Sequence, residues 1–420
     1  MTAVHPRLAL SDATNSRPAH GPTRLFPRVV PDHEVAFDPS LIIGSTPADT
    51  AADTAALLVW GERLASEQPR VLGFPGALDF DFRSLGPLLS VLANNVGDPQ
   101  SADASNIHAK SHELAIIRFC AELAGTPPHH TYGYVTSGGT EGIERGLELA
   151  RHQLPHAHLY ASDQAHYAVG KISARLGLTL QTVPSQPDGS MAPHQLRDRA
   201  RAHRMTSPGR GPGAIVLASI GTTFRGAYDN VGELRHAAAA AGDVYIHADA
   251  ALAGFAAPYL PTQPSWSIAD GSDSLSMSGH KFIGLPMPAG VFLARHEAVP
   301  SADGAEYVRA TDRTWGCSRS GLAVLCLWSA LRRLGHEGLG ERVRRCLDTA
   351  AYAVTQLERV GVRPERHPDG LVVTFDRPAA WVAERWHLAC EGQRAHLVAV
   401  AHVTRDAIDE LCADLTTGSP

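Results

Sequence analysis

The sequence predicts an α/β protein, with a mostly parallel sheet in a large domain and a smaller α+β domain after it. Two patterns carry that prediction. Between residues 132 and 294, short apolar runs alternate with helix-length amphipathic stretches, the pattern of a parallel sheet covered on both faces by its own crossovers. Beyond about residue 311 the alternation stops, and long helical stretches precede a few strand-like runs.

Residues 1–50 are rich in Pro, Ser, Thr and Asp and lack periodicity, so they are expected to form a flexible N-terminal arm or to drape over a partner subunit. Apolar residues recurring at three and four predict helices over 50–68 and 111–124. Strands are predicted at 132–136, 159–162, 179–183, 214–219, 244–249, 274–278 and 290–294, with helices at 140–153, 166–176, 193–203 and 231–241. The large domain is then 51–310. Residues 311–420 form the small one, with helices over 321–334 and 341–360, strands at 371–375 and 396–400 around a helical segment, and a closing helix over 404–415.

The chain has 420 residues, 44% of them hydrophobic and 19% charged, the profile of a globular protein with a large core. A net charge of −6 with no basic block argues against nucleic acid as a partner. No apolar run is long enough to span a bilayer, and the first residues lack the apolar centre of a secretory signal, so a cytoplasmic location is expected. Six cysteines are scattered without a CxxC pair, and 22 histidines show no metal-ligand spacing; no metal site is expected.

Four motifs follow predicted strands, where ligands gather in open α/β sheets. Ser137-Gly138-Gly139-Thr140-Glu141-Gly142 puts glycines and a hydroxyl at a helix start, which suits an anion, although a tight strand–helix turn capped by Thr140 explains it as well. His166-Tyr167 follows the second strand. His247-Ala248-Asp249-Ala250-Ala251 ends an apolar strand with a carboxylate, which is either a helix N-cap or the partner of a buried cation such as a pyridinium nitrogen. Gly221-Thr222-Thr223 closes a neighbouring strand. SMSGHKFIG, residues 276–284, sets Lys281 among small and apolar residues, as a paired lysine or as an amine held ready to form an imine with an aldehyde cofactor. Together the motifs supply an anion cradle, a stacking imidazole, a ring-nitrogen carboxylate and an imine-forming amine, the contacts of pyridoxal 5′-phosphate (PLP).

The runs YGYVTSGGTEG, DQAHYAVGKI, ASIGTTFRGAYDN, HADAALAG and SGHKFIGLPMPAG resemble the PLP-dependent group II amino-acid decarboxylases, nearest to the bacterial histidine decarboxylase branch. The likeness extends from LGFPGALDFDF and NNVGDP through VVTF and AHLVAVAH. It implies the aspartate-aminotransferase-like fold type I and a homodimer with the active site at the subunit interface. It implies that Lys281 bonds the cofactor aldehyde, that Asp249 pairs with the pyridine nitrogen and that His166 stacks on the ring. Gly138, Gly139, Thr140, Ser278 and His280 would hold the phosphate, Thr223 and Ala251 would flank the ring, and Tyr307 would be a lid residue that reprotonates the product. Ser137, Ile143, Leu285 and Ser320 depart from the branch's pattern, and Leu285 is expected to make the pocket more apolar.

The implied reaction is α-decarboxylation of an L-amino acid, histidine or a related or apolar one such as valine or leucine. Oxidative deamination or transamination, and a non-catalytic scaffold with the same fold, are the alternatives.

Overall fold

The computed structural model describes residues 38–207, 209 and 211–417; most of the expected N-terminal arm lies outside them. In chain order the strands are β1 (Asn94–Val96), β2 (Thr131–Thr136), β3 (His158–Ser162), β4 (Leu180–Val183), β5 (Ala214–Ser219), β6 (Val244–Asp249), β7 (Ser274–Ser278), β8 (Gly290–Arg295), β9 (Ser318–Ser320), β10 (Val372–Asp376), β11 (Ala389–Glu391) and β12 (Arg394–Val398). The α-helices are α1 (Thr50–Glu67), α2 (Lys110–Leu123), α3 (Gly139–Gln153), α4 (Ala168–Leu176), α5 (Pro193–Met205), α6 (Val231–Ala238), α7 (Gly321–Arg359), α8 (Ala380–Arg385) and α9 (Arg405–Thr416).

Among the described residues, β2 to β8 form one seven-stranded sheet in the order β2-β8-β7-β6-β5-β3-β4. β3 to β7 run parallel, and β8 is antiparallel to both its neighbours, β7 and β2. The strands are apolar on both faces because both are covered. On β5, Ile215 and Leu217 pack with Ile143 and Leu147 of α3 and Val169 and Ile172 of α4. Val216 and Ala218 point the other way, into the core shared with α2, α5, α6 and α7. This two-sided burial supplies the main driving force for the fold, at roughly 25 cal/mol per Å² of apolar surface removed from water.

A separate three-stranded antiparallel sheet, β10-β12-β11, buries Phe375, Leu397 and Val398 against Ile408 and Leu411 of α9 and Leu357 of α7. Two predicted helices are one element, α7: residues 336–340 continue it, and the break is a kink at Gly335, whose φ of +58° and ψ of −169° leave the helical region. Side chains cap α1, α7 and α9: Asp49 accepts from Ala51 N–H at 3.0 Å, Ser320 from Ala323 N–H at 3.1 Å and Thr404 from Ala407 N–H at 3.1 Å. α1 differs from the rest, having no buried residue. Leu57, Leu58, Val59 and Trp60 are each more than half exposed. No described helix is long and apolar enough to cross a membrane.

Candidate active site

Lys281 sits just past the carboxyl end of β7, in a turn of π-helix over Gly279–Ile283 that Gly284 N–H closes on the Gly279 carbonyl at 3.0 Å. Gly284 has a φ of +85°, and a Cβ there would come within 2.6 Å of the Ala77 carbonyl oxygen. Only glycine serves both needs. Ala77 N–H in turn donates to the Lys281 carbonyl at 2.8 Å, which fixes the backbone that carries the amine. Burial lowers the amine's pKa, and the Asp249 carboxylate opposes that shift in part.

Asp249 ends β6, the strand next to β7, in register with Ser276, and is 8% exposed. Its Oδ1 accepts from Ala251 N–H at 3.1 Å, a local turn rather than a helix N-cap. His166 lies beyond β3, and helix α4 begins only at Ala168, whose N–H donates to His166 Nδ1 at 3.3 Å. Burial pushes the His166 pKa down; Asp249 pulls it up, and Lys281 and Lys171 push it down. The neutral ring therefore carries its proton on Nε2. His166, Asp249 and Lys281 thus act on one another electrostatically although they come from the ends of three different strands.

The anion cradle forms where the β2–α3 turn meets the end of β7. Gly138 (φ +153°) swings the chain into α3, which starts at Gly139. A Cβ on Gly139 would lie 2.8 Å from Ser278 Oγ and 3.2 Å from Ala251 Cβ, and one on Gly138 would lie 3.8 Å from His280 Cε1. Ser278 is 1% exposed, and its hydroxyl has no hydrogen-bond partner. A buried donor left without an acceptor costs free energy. Here it faces glycines at a helix N-terminus, where an anion is favoured. These residues fit the phosphate of PLP. His280 is held by contacts of its Nδ1 with Ala289 C=O at 3.0 Å and Ala289 N–H at 3.2 Å, and burial lowers its pKa. Glu141 accepts from Ser137 N–H at 2.8 Å and Ser137 Oγ at 2.7 Å, so the carboxylate on the first turn of α3 ties down the residue before the glycines.

The structure thus gathers Lys281, Asp249, His166, Gly138, Gly139, Ala251, Ser278 and His280. Thr140 and Thr223 are exposed beside this cluster and make no side-chain hydrogen bond to it; at the β5 turn the buried hydroxyl is that of Thr222, which accepts from Ala227 N–H at 3.0 Å. Tyr307 is not brought in, being 85% exposed on the segment between β8 and β9. Leu285 is 5% exposed and lies with Leu327 against Gly279 in the main core. Ser320 is the α7 cap. Arg342 and Asp79, which hold the Lys281 turn from behind, carry no local sequence signal, being 263 residues apart. Among the described residues no group of three or more His, Cys, Asp or Glu side chains could hold a metal ion.

Comparison with known proteins agrees with this geometry. Residues 144–362 match the pyridoxal-dependent decarboxylase conserved domain. The chain is 35% identical to histidine decarboxylase of Pseudomonas entomophila, over 84% of this chain and 87% of that one. It is likewise 35% identical to serine decarboxylase 2 of Oryza sativa subsp. japonica, over 82% of this chain and 73% of the other. The structure of L-methionine decarboxylase from Streptomyces sp. 590 superposes with a TM-score of 0.79 at 22% identity, covering 92% of this chain and all of that one. The large, mostly parallel sheet with its covering helices is that of fold type I. This chain belongs to the pyridoxal-dependent decarboxylase family, enzymes that use PLP to remove the carboxylate of an amino acid.

Proposed function

We propose that this protein converts L-histidine, or a related or apolar L-amino acid such as valine or leucine, to its amine and CO₂, with its own residues in the following roles. Ser278 Oγ, the Gly138–Gly139 backbone, Thr140 and His280 hold the phosphate. Lys281 Nζ would be the amine that holds the cofactor's aldehyde, and burial lowers its pKa, which favours the neutral, nucleophilic form. Asp249 would pair with the pyridine nitrogen and favour its protonated form. His166 would face the ring and orient the substrate carboxylate, and Thr223 and Ala251 would border the ring. PLP supplies the electron sink for the breaking Cα–carboxylate bond. The protein contributes orientation and fixed charge. Tyr307 is assigned the return of a proton to Cα; its exposure suits action in the site of a second copy.

The observation that carries this reading is the convergence of Lys281 and Asp249 at adjacent strand ends beside the unpartnered Ser278 hydroxyl. Histidine is placed first because of the Pseudomonas relative. A homodimer is supported by the exposed apolar side chains Leu57, Leu58, Trp60, Leu89 and Leu92, all more than half exposed, which a partner subunit would cover.

The test is to incubate the PLP-loaded protein with each of the common amino acids and identify products by mass. Histamine, or one other amine, with no carbonyl product is expected, and Lys281→Ala should make none. An aldehyde or keto acid with oxygen uptake would move the assignment to oxidative chemistry. No product from any amino acid would end it.

A further inference from the structure

His396 is 2% exposed, on β12 of the small sheet, and its ring nitrogens face the backbone of two segments outside that sheet. Its Nδ1 lies 3.1 Å from the Phe224 carbonyl oxygen and its Nε2 lies 3.0 Å from that of Gly73. The Phe224 ring packs on it at 4.9 Å between centroids. Carbonyl oxygens only accept, so a hydrogen bond to either needs a ring N–H. Burial lowers the ring's pKa, and the two carbonyls offset that only in part, so the neutral ring donates to one carbonyl and holds the other at contact distance. The residues in register with it, Thr374 and Ala389, carry no charge, and the nearby Arg394 and Arg225 both turn to Glu365. The ring's polar contacts here are thus the two backbone carbonyls.

Both carbonyls belong to chain that reaches the site. Phe224 follows Thr223. Gly73 opens a strap over residues 73–77 that ends on the Lys281 carbonyl through Ala77 N–H at 2.8 Å. A Cβ on Gly76 would lie 3.3 Å from the His280 carbonyl oxygen, so the strap runs along the lysine turn. Within it the Phe74 ring is 54% exposed. His402 fastens the same strap without needing a charge: its Nε2–H donates to Val71 C=O at 2.8 Å and its Nδ1 accepts from Leu78 N–H at 3.2 Å.

We propose that His396 is a positioning residue that fixes the spacing between the strap over residues 73–77 and the Thr222–Gly226 turn, and so sets how the substrate side chain is held above Lys281. The proposal rests on the decarboxylase reading for its effect on substrate, but the clamp itself is testable without turnover.

The variants are His396→Phe, which keeps a ring and loses the N–H donor, and His396→Gln, which keeps a donor. In cofactor-free protein, amide hydrogen exchange at Ala77 and Gly226 should rise together by about tenfold in His396→Phe, the scale of one lost buried hydrogen bond, and by less in His396→Gln. In loaded enzyme, KM for the accepted amino acid should rise about tenfold with kcat little changed, as for lost ground-state positioning. Unchanged exchange at both amides, a rise spread evenly over the seven-stranded sheet, or a loss confined to kcat would each overturn the proposal. If the native protein makes no amine, the decarboxylase assignment fails while the exchange result still decides the clamp. If neither variant folds, the native ring decides: a His396 N–H proton held on a buried carbonyl exchanges slowly, and a freely exchanging one overturns it.

Discussion

Arg342 and Asp79 form a two-point ion pair, at 2.6 and 2.9 Å, that closes behind the lysine turn. The same guanidinium donates through Nε to the Phe282 carbonyl at 3.0 Å and through Nη2 to the Ile283 carbonyl at 3.1 Å. Arg342 therefore holds the two residues that follow Lys281 and braces them against the strap. A lysine cannot reproduce this planar fork. Arg342→Lys is expected to cost about 2–3 kcal/mol of stability, toward the low end for a broken buried pair because Asp79 is partly exposed. It should also speed loss of PLP from the holoenzyme. Urea titration and the decay of cofactor absorbance in dilute protein check both. Unaltered retention of PLP would remove Arg342 from any role in the site.

Ser278→Ala should act in opposite directions with and without cofactor. The hydroxyl is buried and unpartnered, so deleting it leaves the cofactor-free protein as stable as before or slightly more so. Binding PLP should weaken by about tenfold or more, since hydrogen bonds to charged groups are worth roughly 1.5–3 kcal/mol. Thermal melts of the cofactor-free proteins and a PLP titration separate the two effects. A lower melting temperature with unchanged affinity would show that Ser278 is only structural.

How much of this was legible in the sequence depended on where the determining contacts lie. Strands β5, β6 and β7 match their predicted bounds because apolar runs covered on both faces are marked by their own residues. Lys281, Asp249, His166 and Ser278 could be singled out because each follows such a run. The β1–β9 pair, only three residues long on each side, joins Asn94 to Ser320 across the chain and has no local pattern. The stretch after Leu334 holds Gly335, Gly338 and Gly340 and reads as a loop; packing keeps all but Gly335 helical, a tertiary override of propensity. The burial of Leu285 beside Gly279 depends on Leu327 of α7, a contact too distant in the chain to leave a local pattern. Tyr307 rested on resemblance alone.

Lys281→Met should stabilise the cofactor-free protein. Burial lowers the amine's pKa from 10.5 by more than attraction to Asp249 restores, so the charged amine is a net liability in the folded state. Between the folded value and 10.5 the unfolded chain binds more protons, and native stability rises with pH across that window. Below it the full penalty is present. Methionine, similar in volume and uncharged, should gain about 1 kcal/mol or more near neutral pH. The gap to the native protein should narrow as pH climbs toward 10.5. Denaturant midpoints at pH 7 and pH 10 test this; a less stable Lys281→Met would mean that the amine's pairing with Asp249 outweighs its burial.

Asp229 carries the last prediction. It is 1% exposed beneath the β5 turn that bears Thr222 and Thr223. Its Oδ1 accepts from Met191 N–H at 2.6 Å and its Oδ2 from Ser219 N–H at 2.8 Å. Burial raises its pKa from 3.8 to about 7, while the two backbone N–H groups oppose the shift. Between those values the folded protein binds more protons than the unfolded chain, so this group's contribution to stability falls as pH rises from 3.8 toward 7. Asn at this position offers one acceptor for two donors and leaves an amide N–H facing a backbone N–H. Asp229→Asn should therefore cost about 1–3 kcal/mol and should not show that pH dependence. The native advantage over Asp229→Asn should be larger at pH 5 than at pH 8, as read from urea midpoints at the two values. A gap that widens with pH would mean that the carboxylate is ionised throughout and that its two backbone donors outweigh its burial.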